Sequence, residues 1–304
     1  KKGSKYDEVI KWSRNLKRRF ENGKKESFDK TKIRDAHYRP FVKLSIYDSD
    51  LLIDEISGTK EIFNSENVAI TSMGLGADKP FSTLCANTFT DLNYLSPAAN
   101  GCRIYPLYRY DDKGNRHHNI TDWGLEQFQT HYKDKKITKE NIFHYTYAVL
   151  HNPVYRKKYE LNLKREFPRL PYYENFKQWR DWGKALMELH INYEAAKPFA
   201  LKEVKSASKT EHKKTKELFP QIDEPEALYG RKEKIKAKLK ADKETGVIEI
   251  DELTLLSGVP KEAWEYKLGN RSALEWVLDQ YKEKKPSDPT ILEKFNTYRF
   301  ADYK

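Results

Sequence analysis

Residues 138–171 read Thr138-Lys139-Glu140-Asn141-Ile142-Phe143-His144-Tyr145-Thr146-Tyr147-Ala148-Val149-Leu150-His151-Asn152-Pro153-Val154-Tyr155-Arg156-Lys157-Lys158-Tyr159-Glu160-Leu161-Asn162-Leu163-Lys164-Arg165-Glu166-Phe167-Pro168-Arg169-Leu170-Pro171. The punctuation of this stretch sets the architecture. Thr138 is a helix N-cap with Glu140 in the first turn, so a helix is expected from there to about His151. Asn152 and Pro153 end it and start another, Asn as cap and Pro at the first helical position. Tyr155, Tyr159, Leu163 and Phe167 then fall on one helical face, which Pro168 and Pro171 terminate.

Downstream, Phe176, Trp179, Gly183, Leu186 and His190 give a third helical face. Lys205–Pro220 is lysine-rich and weakly periodic, the best candidate for a linker or lid. In Lys232–Lys243, Ile235, Ala237 and Leu239 alternate with lysines, and Thr245-Gly246 separates them from Val247–Ile250, which reads as a hairpin with a lysine face. Those lysines either block edge pairing or meet phosphate. Ser272-Ala273-Leu274-Glu275 is a capping box opening a helix with Leu274, Val277, Leu278 and Tyr281 inward. Upstream, Tyr6–Phe20 reads as a helix stopped by Asn22-Gly23, with Leu16 and Phe20 on its apolar side. Val42, Leu44 and Ile46 alternate against Lys43 and Ser45 in a half-buried strand, and Val68–Met73 and Cys102–Tyr108 are further short apolar runs. The expected class is α+β: a strand-rich N-terminal part (31–136), then a helical part with a C-terminal hairpin plus helix (137–304).

A length of 304 residues allows about two compact units. Charged residues are 34% of the chain, yet 13% aromatics argue against disorder, because rings bury enough area to offset ordering entropy. No apolar run approaches the roughly 20 residues that cross a bilayer, and no charged-then-apolar leader is present, so no membrane partner is expected. Cys85 and Cys102 make neither a disulfide framework nor a zinc pattern, and the cytoplasm is the expected compartment. Starting at Lys1, the sequence reads as a piece of a longer chain.

Net charge is +11, and Lys1–Arg39 alone holds 14 Lys/Arg against 6 Asp/Glu. A basic segment on a nearly balanced body fits a polyanion-binding face, and equally a solvated helix face. Catalytic signatures are weak. Asn152-Pro153-Val154-Tyr155 is one residue from the Asn-Pro-Pro-Tyr signature of adenine-N6 methyltransferases, but it joins two helices instead of following a buried strand. Met73-Gly74-Leu75-Gly76 lacks a third glycine, and no phosphate-binding GxxxxGK[ST] loop exists. Glu203-Val204-Lys205 has the Glu-x-Lys shape of many nucleases but is expected off any clear strand. His117 and His118, as strand neighbours, point to opposite faces and would not share a metal. What remains is Arg103, Arg109, Lys113, Asn115, Arg116, His117 and His118 around Tyr105, Tyr108 and Tyr110, either a nucleic-acid reader or a solvated loop with core tyrosines.

The block Phe143–Arg156, continuing through Lys158-Tyr159 to Phe167–Pro171, resembles the C-terminal target-recognition region of type ISP restriction-modification enzymes. These are single chains that combine nuclease, helicase-like translocase, adenine methyltransferase and DNA-recognition parts. Tyr38-Arg39-Pro40-Phe41, Pro106-Leu107-Tyr108, Leu189–Glu194, Gly258-Val259-Pro260 and Gly269–Trp276 are further matches in the family's order. The resemblance implies double-stranded DNA as partner, alongside upstream methyltransferase and helicase-nuclease domains of the same chain. Residues 1–30 would be a connecting helix from that methyltransferase. It also implies no catalytic or metal residue and no cofactor in this fragment, with S-adenosylmethionine, ATP and magnesium belonging to the parent enzyme. Arg39 and Arg271 sit in family-like motifs and are expected to contact phosphate or make structural pairs. Base choice is expected from the less family-like segment Lys60–Lys79, with Asn64, Asn67, Ser72 and Lys79 as candidates, and secondarily from Arg109–His118, with Arg109, Arg116 and His117; Lys60 and Arg103 are further DNA-binding candidates. The competing reading is a non-catalytic protein-interaction or general nucleic-acid-binding domain of a larger enzyme.

Overall fold

The fold is that of a computed structural model, which describes residues 12–54, 58–95, 101–205 and 237–282. The expected linker 206–220, the start of the lysine hairpin at 232–236, and Tyr6 to Lys11 of the first helix lie outside the described residues. The class is α+β, as expected, and the described residues form two compact units. One comprises those up to Lys197 with Lys267–Arg271, the other those of Pro198–Tyr266 and from Ser272 on.

In the first unit, helix α1 (Arg14–Glu21) is capped by Ser13, whose Oγ accepts from the Leu16 N–H (3.2 Å), and it stops at Asn22-Gly23. The expected apolar stripe is not buried: no α1 residue is, and Phe20 is half exposed. Strand β1 (Ile33–Arg39), which the sequence did not announce, pairs antiparallel with β2 (Val42–Tyr47) through a turn in which Phe41 takes φ +56°. Leu44, expected inward, is half exposed, because only Val42 of β2 reaches the core. Short helix α2 is Thr59–Phe63. Strands β3 (Ala69–Met73) and β4 (Thr83–Ala86) are buried throughout, and β5 (Phe89–Thr90) runs parallel to β1. β3 is the centre of a three-stranded antiparallel sheet between β4 and β6 (Cys102–Pro106). The chain then makes a separate hairpin, β7 (Tyr108–Tyr110) and β8 (Arg116–His118).

Helices α3 (Asp122–Tyr132), α4 (Lys139–His151), α5 (Pro153–Lys158), α6 (Glu160–Arg165) and α7 (Phe176–Ile191) follow. Thr138 caps α4 in a reciprocal box with Asn141, and Asn152 and Pro153 open α5 as their residue types predict. The single helix expected through Phe167 is instead two. The backbone leaves helical geometry at Tyr159 (φ −109°, ψ 23°), and Phe167 lies beyond the end, half exposed. Tyr145 and Tyr147 are fully buried in α4, and the Tyr145 hydroxyl donates to Pro171 O (2.6 Å) while accepting from the Tyr173 N–H (2.9 Å), so the apolar core holds no orphaned phenol there. Gly183 is required where α7 crosses α4: a Cβ there would lie 1.8 Å from His144 O.

The second unit is built on a four-stranded antiparallel sheet ordered β10-β11-β12-β9, with β9 Lys202–Lys205, β10 Ala237–Asp242, β11 Val247–Asp251 and β12 Thr254–Ser257. Gly246 (φ +66°) closes the expected hairpin. Leu239 is buried and Lys240 exposed, with a register shift between Ala237 and Lys240. Glu203-Val204-Lys205 does lie on a strand, the edge strand β9, and Glu203 pairs with Lys205 (3.1 Å). Ser272 and Glu275 form the expected capping box of the helix Ala273–Tyr281. Its buried residue is Trp276, with Leu274 and Leu278 packed alongside on the Ile248, Val259 and Trp264 core.

Candidate nucleic-acid interface

The β7–β8 hairpin turns at Asp111-Asp112-Lys113-Gly114-Asn115, where Gly114 takes φ +80°. Asp111 organises the turn: its Oδ1 accepts from the N–H groups of Lys113 (2.9 Å) and Asn115 (2.8 Å), and its Oδ2 from Asn115 Nδ2 (2.9 Å). The bonds from Asn115 foremost pull the Asp111 carboxyl down to about 2. Cross-strand partners are Tyr108 with His118, Arg109 with His117, and Tyr110 with Arg116. Alternation therefore puts Arg109 and His117 on one face and Tyr108, Tyr110, Arg116 and His118 on the other.

The second face holds the hairpin down. The Tyr108 hydroxyl and His118 Nε2 both approach Glu140 of α4 (3.4 Å each), and the Tyr110 hydroxyl donates to Glu66 O (2.6 Å). Arg116 lies exposed over the Tyr108 ring at 4.4 Å. On the first face Arg109 is exposed, and His117 Nε2 is 3.3 Å from Asp111. With Lys113 in the turn, one small ribbon presents four basic side chains on a fixed backbone.

The other sequence candidates go to different places. Asn67 is buried beneath the hairpin with its amide fully engaged: Nδ2 donates to Ile62 O (3.1 Å) and Tyr108 O (2.9 Å), and Oδ1 accepts from the Val68 (3.0 Å) and Tyr108 (3.2 Å) N–H groups. Its geometry is that of a cross-link with no edge left for a base. Ser72 is buried in β3, with its Oγ 3.3 Å from Met73 O. Lys60 sits between Asp50 (2.7 Å) and Asp48 (3.1 Å), whose carboxylates raise its pKa, and Asn64 accepts from Arg34 (3.3 Å). Arg39 spans to Asp91 (2.5 Å), donates to Tyr38 O (2.6 Å) and stacks on the Tyr38 ring. Even the basic N-terminal stretch spends charge internally, since Arg19 donates to Leu51 O (3.0 Å), Ile53 O (2.6 Å) and Asp54 O (3.2 Å).

Lys79 and Arg103 lie toward the far end of the β3 sheet, and Arg271 comes two residues after Gly269, which sits beside Lys79. Ala69 pairs with Pro106 where the hairpin departs, whereas Ser72 pairs with Arg103 at the opposite end. There the Gly269 N–H donates to Ser82 Oγ beside Lys79, which is 3.0 Å from Asp78. Arg271 is exposed, and Arg103 lies exposed over the Phe167 ring at 5.0 Å. Two basic sites thus stand at opposite ends of one sheet.

The family model described as the Type ISP C-terminal specificity domain matches residues 1–304. The chain belongs to this family. No curated protein matches it. Among solved structures, this specificity domain is similar to a DrdV–DNA complex determined by cryo-EM, at 45% identity and a TM-score of 0.81 over 97% of the chain and 28% of that one. It is also similar to a nuclease-deletion mutant of the Type ISP restriction-modification enzyme LlaGI in complex with a DNA substrate mimic, at 27% identity and a TM-score of 0.68, covering 94% of this chain and 24% of that one. The ATP-dependent Type ISP enzyme LlaBIII bound to DNA shares the fold, at 24% identity and a TM-score of 0.70 over 92% and 17%. The specificity domain spans under a third of the length of each relative. Among the described residues no helix is long and apolar enough to cross a membrane, and no three His, Cys, Asp or Glu side chains converge as metal ligands.

Sequence reasoning overlooked the organising role of Asp111 and the locking role of Asn67. Asp at the first turn position with Gly three residues on is a readable turn signal. Asn67 offered none, because its main partner, Tyr108, is far away in sequence.

Proposed function

We propose that this specificity domain reads an asymmetric site on double-stranded DNA for a longer single-chain restriction-modification enzyme. Its neighbours there are an upstream adenine-N6 methyltransferase domain and a translocase-nuclease. The observation that carries the reading is the β7–β8 hairpin: a two-stranded ribbon with Arg109, Lys113, Arg116 and His117 on a backbone fixed by Asp111 and Asn67. B-DNA's major groove, roughly 12 Å wide and 8.5 Å deep, admits such a ribbon, and arginine makes bidentate contacts to guanine there. Arg109 and Arg116 are the base-reading candidates, with Lys79, Arg103 and Arg271 as phosphate contacts. The DNA-bound DrdV and LlaGI relatives support the same partner.

Residues 1–30 serve in this reading as the connection from the methyltransferase, 31–136 as the strand-rich part and 137–304 as the helical and hairpin part. S-adenosylmethionine, ATP and magnesium serve the remainder of the full-length enzyme, and the ATP dependence of LlaBIII fits that division. Cys85 and Cys102 are reduced thiols, which fits a reducing cytoplasm. Duplex affinity measured across salt tests the proposal: with six or more phosphate contacts it falls roughly 1,000-fold or more between 50 and 200 mM. Binding that ignores salt, or none at low salt, overturns it.

A further inference from the structure

A cavity of about 260 Å³ opens between α5–α6 and residues 166–171, well away from the hairpin in the chain. It is smaller than the roughly 300–1,000 Å³ of pockets for drug-sized ligands and matches a single planar ring system. Its walls include Tyr155 and Tyr159, whose ring centroids are 5.1 Å apart, and the half-exposed Phe167. Its polar edge is the exposed amide of Asn162, which makes no hydrogen bond among the described residues, and the Glu166 carboxylate, 3.0 Å from Arg169. Cations stack on the lining rings from outside, Arg103 on Phe167 (5.0 Å) and Lys158 on Tyr159 (5.3 Å).

We infer that this cavity holds one unstacked nucleobase bearing an exocyclic amine, with the flanking phosphate on Arg103, Lys158 or Arg169. The inference rests on the DNA reading above and adds a second site to it. Rings that line a slot and cations that ring it are what extrahelical or single-stranded bases meet in proteins. An amide pairs with the amine and ring nitrogen of adenine, and a carboxylate accepts from the amine of cytosine. Thymine has a carbonyl oxygen where adenine and cytosine have the exocyclic amine, so it is the discriminating control.

The test compares three duplexes bound to the 304-residue chain: one intact, one with a single bulged dA and one with a bulged dT. Bulged dA is expected to bind about tenfold tighter than the other two. Asn162→Ala and Tyr159→Leu should each abolish that preference without changing intact-duplex affinity. Arg109→Ala should weaken all three duplexes and keep the preference. Equal affinity for the three, with duplex binding intact, overturns the pocket and leaves the DNA reading standing. If no duplex binds at low salt, the DNA reading fails, and titration with dAMP and dTMP decides the pocket alone. Asn162-dependent saturation by dAMP but not dTMP supports the pocket, and no saturation by dAMP overturns it.

Discussion

The α4–α7 pair and the β7–β8 hairpin are both rich in rings and histidines, and they handle polar groups in opposite ways. On the helices the histidines are swallowed: His190 Nδ1 meets the Tyr147 hydroxyl at 2.6 Å inside the core, and His151 accompanies it. Burial lowers the pKa of His190 to about 4 and holds His151 well below its ordinary value. On the hairpin, Tyr108 and Tyr110 hold the underside, Arg109 and His117 lie on the other face and Arg116 lies exposed over the Tyr108 ring, while the key carboxylate stays ionised through local hydrogen bonds. One region stores stability that depends on neutrality. The other presents exposed Arg109, Lys113 and Arg116 around an Asp111 carboxylate that stays ionised.

The largest expected difference between them is therefore in acid. His37, buried in β1, is also lowered to about 4 by desolvation. Above pH 6.5 these histidines are neutral both folded and unfolded, so burial costs nothing extra. Between 6.5 and 4 the unfolded chain takes up protons that the folded one refuses, and stability falls, on the order of 3 kcal/mol for each of His37 and His190 at the lower limit. Asp111, lowered to about 2, remains an anion across this window. Urea unfolding at pH 7, 5.5 and 4.5 should show the loss, whereas the Asn115 amide resonance should hold its position. A stability profile flat to pH 4.5 would break the contrast.

Next in size is Gly183→Ala. Its Cβ would press into the His144 carbonyl, forcing α4 and α7 apart at a cost of about 3 kcal/mol or more, read as a lower guanidinium midpoint. A variant as stable as the parent would mean the helices are not held this close.

The smallest effects sharpen the hairpin itself. Asn67→Ala should cost roughly 2–3 kcal/mol of stability, because it strands the Tyr108 backbone polar groups, and should blunt discrimination at several base positions together. Arg116→Ala should change stability by under about 1 kcal/mol while relaxing one base position by roughly 1–3 kcal/mol. Methylation of a library of single-base site variants by full-length enzymes separates them. If Asn67→Ala relaxes one position and Arg116→Ala none, the hairpin is not the reader.

What the sequence revealed divides along the same line. The caps at Thr138, Asn152-Pro153 and Ser272 were legible because each is settled within four residues of chain. The glycine at 183 was legible as part of a helical face, though not as the point of closest approach. Roles set by distant partners were not legible. Asn67 resembles any polar loop residue until Tyr108 arrives above it, and Lys60 resembles a free cation until Asp48 and Asp50 close on it. The turn at Tyr159 hid because a continuous apolar stripe fits one long helix and two short ones equally well.

The four-stranded sheet has one more implication. Its outer strands, β9 and β10, lie on either side of residues 206–236, three strand spacings or roughly 14 Å apart. The chain before residue 206 and the chain after residue 236 are thus tied by backbone hydrogen bonds, through the β9–β12 ladder of Lys202–Lys205 and Thr254–Ser257, as well as covalently.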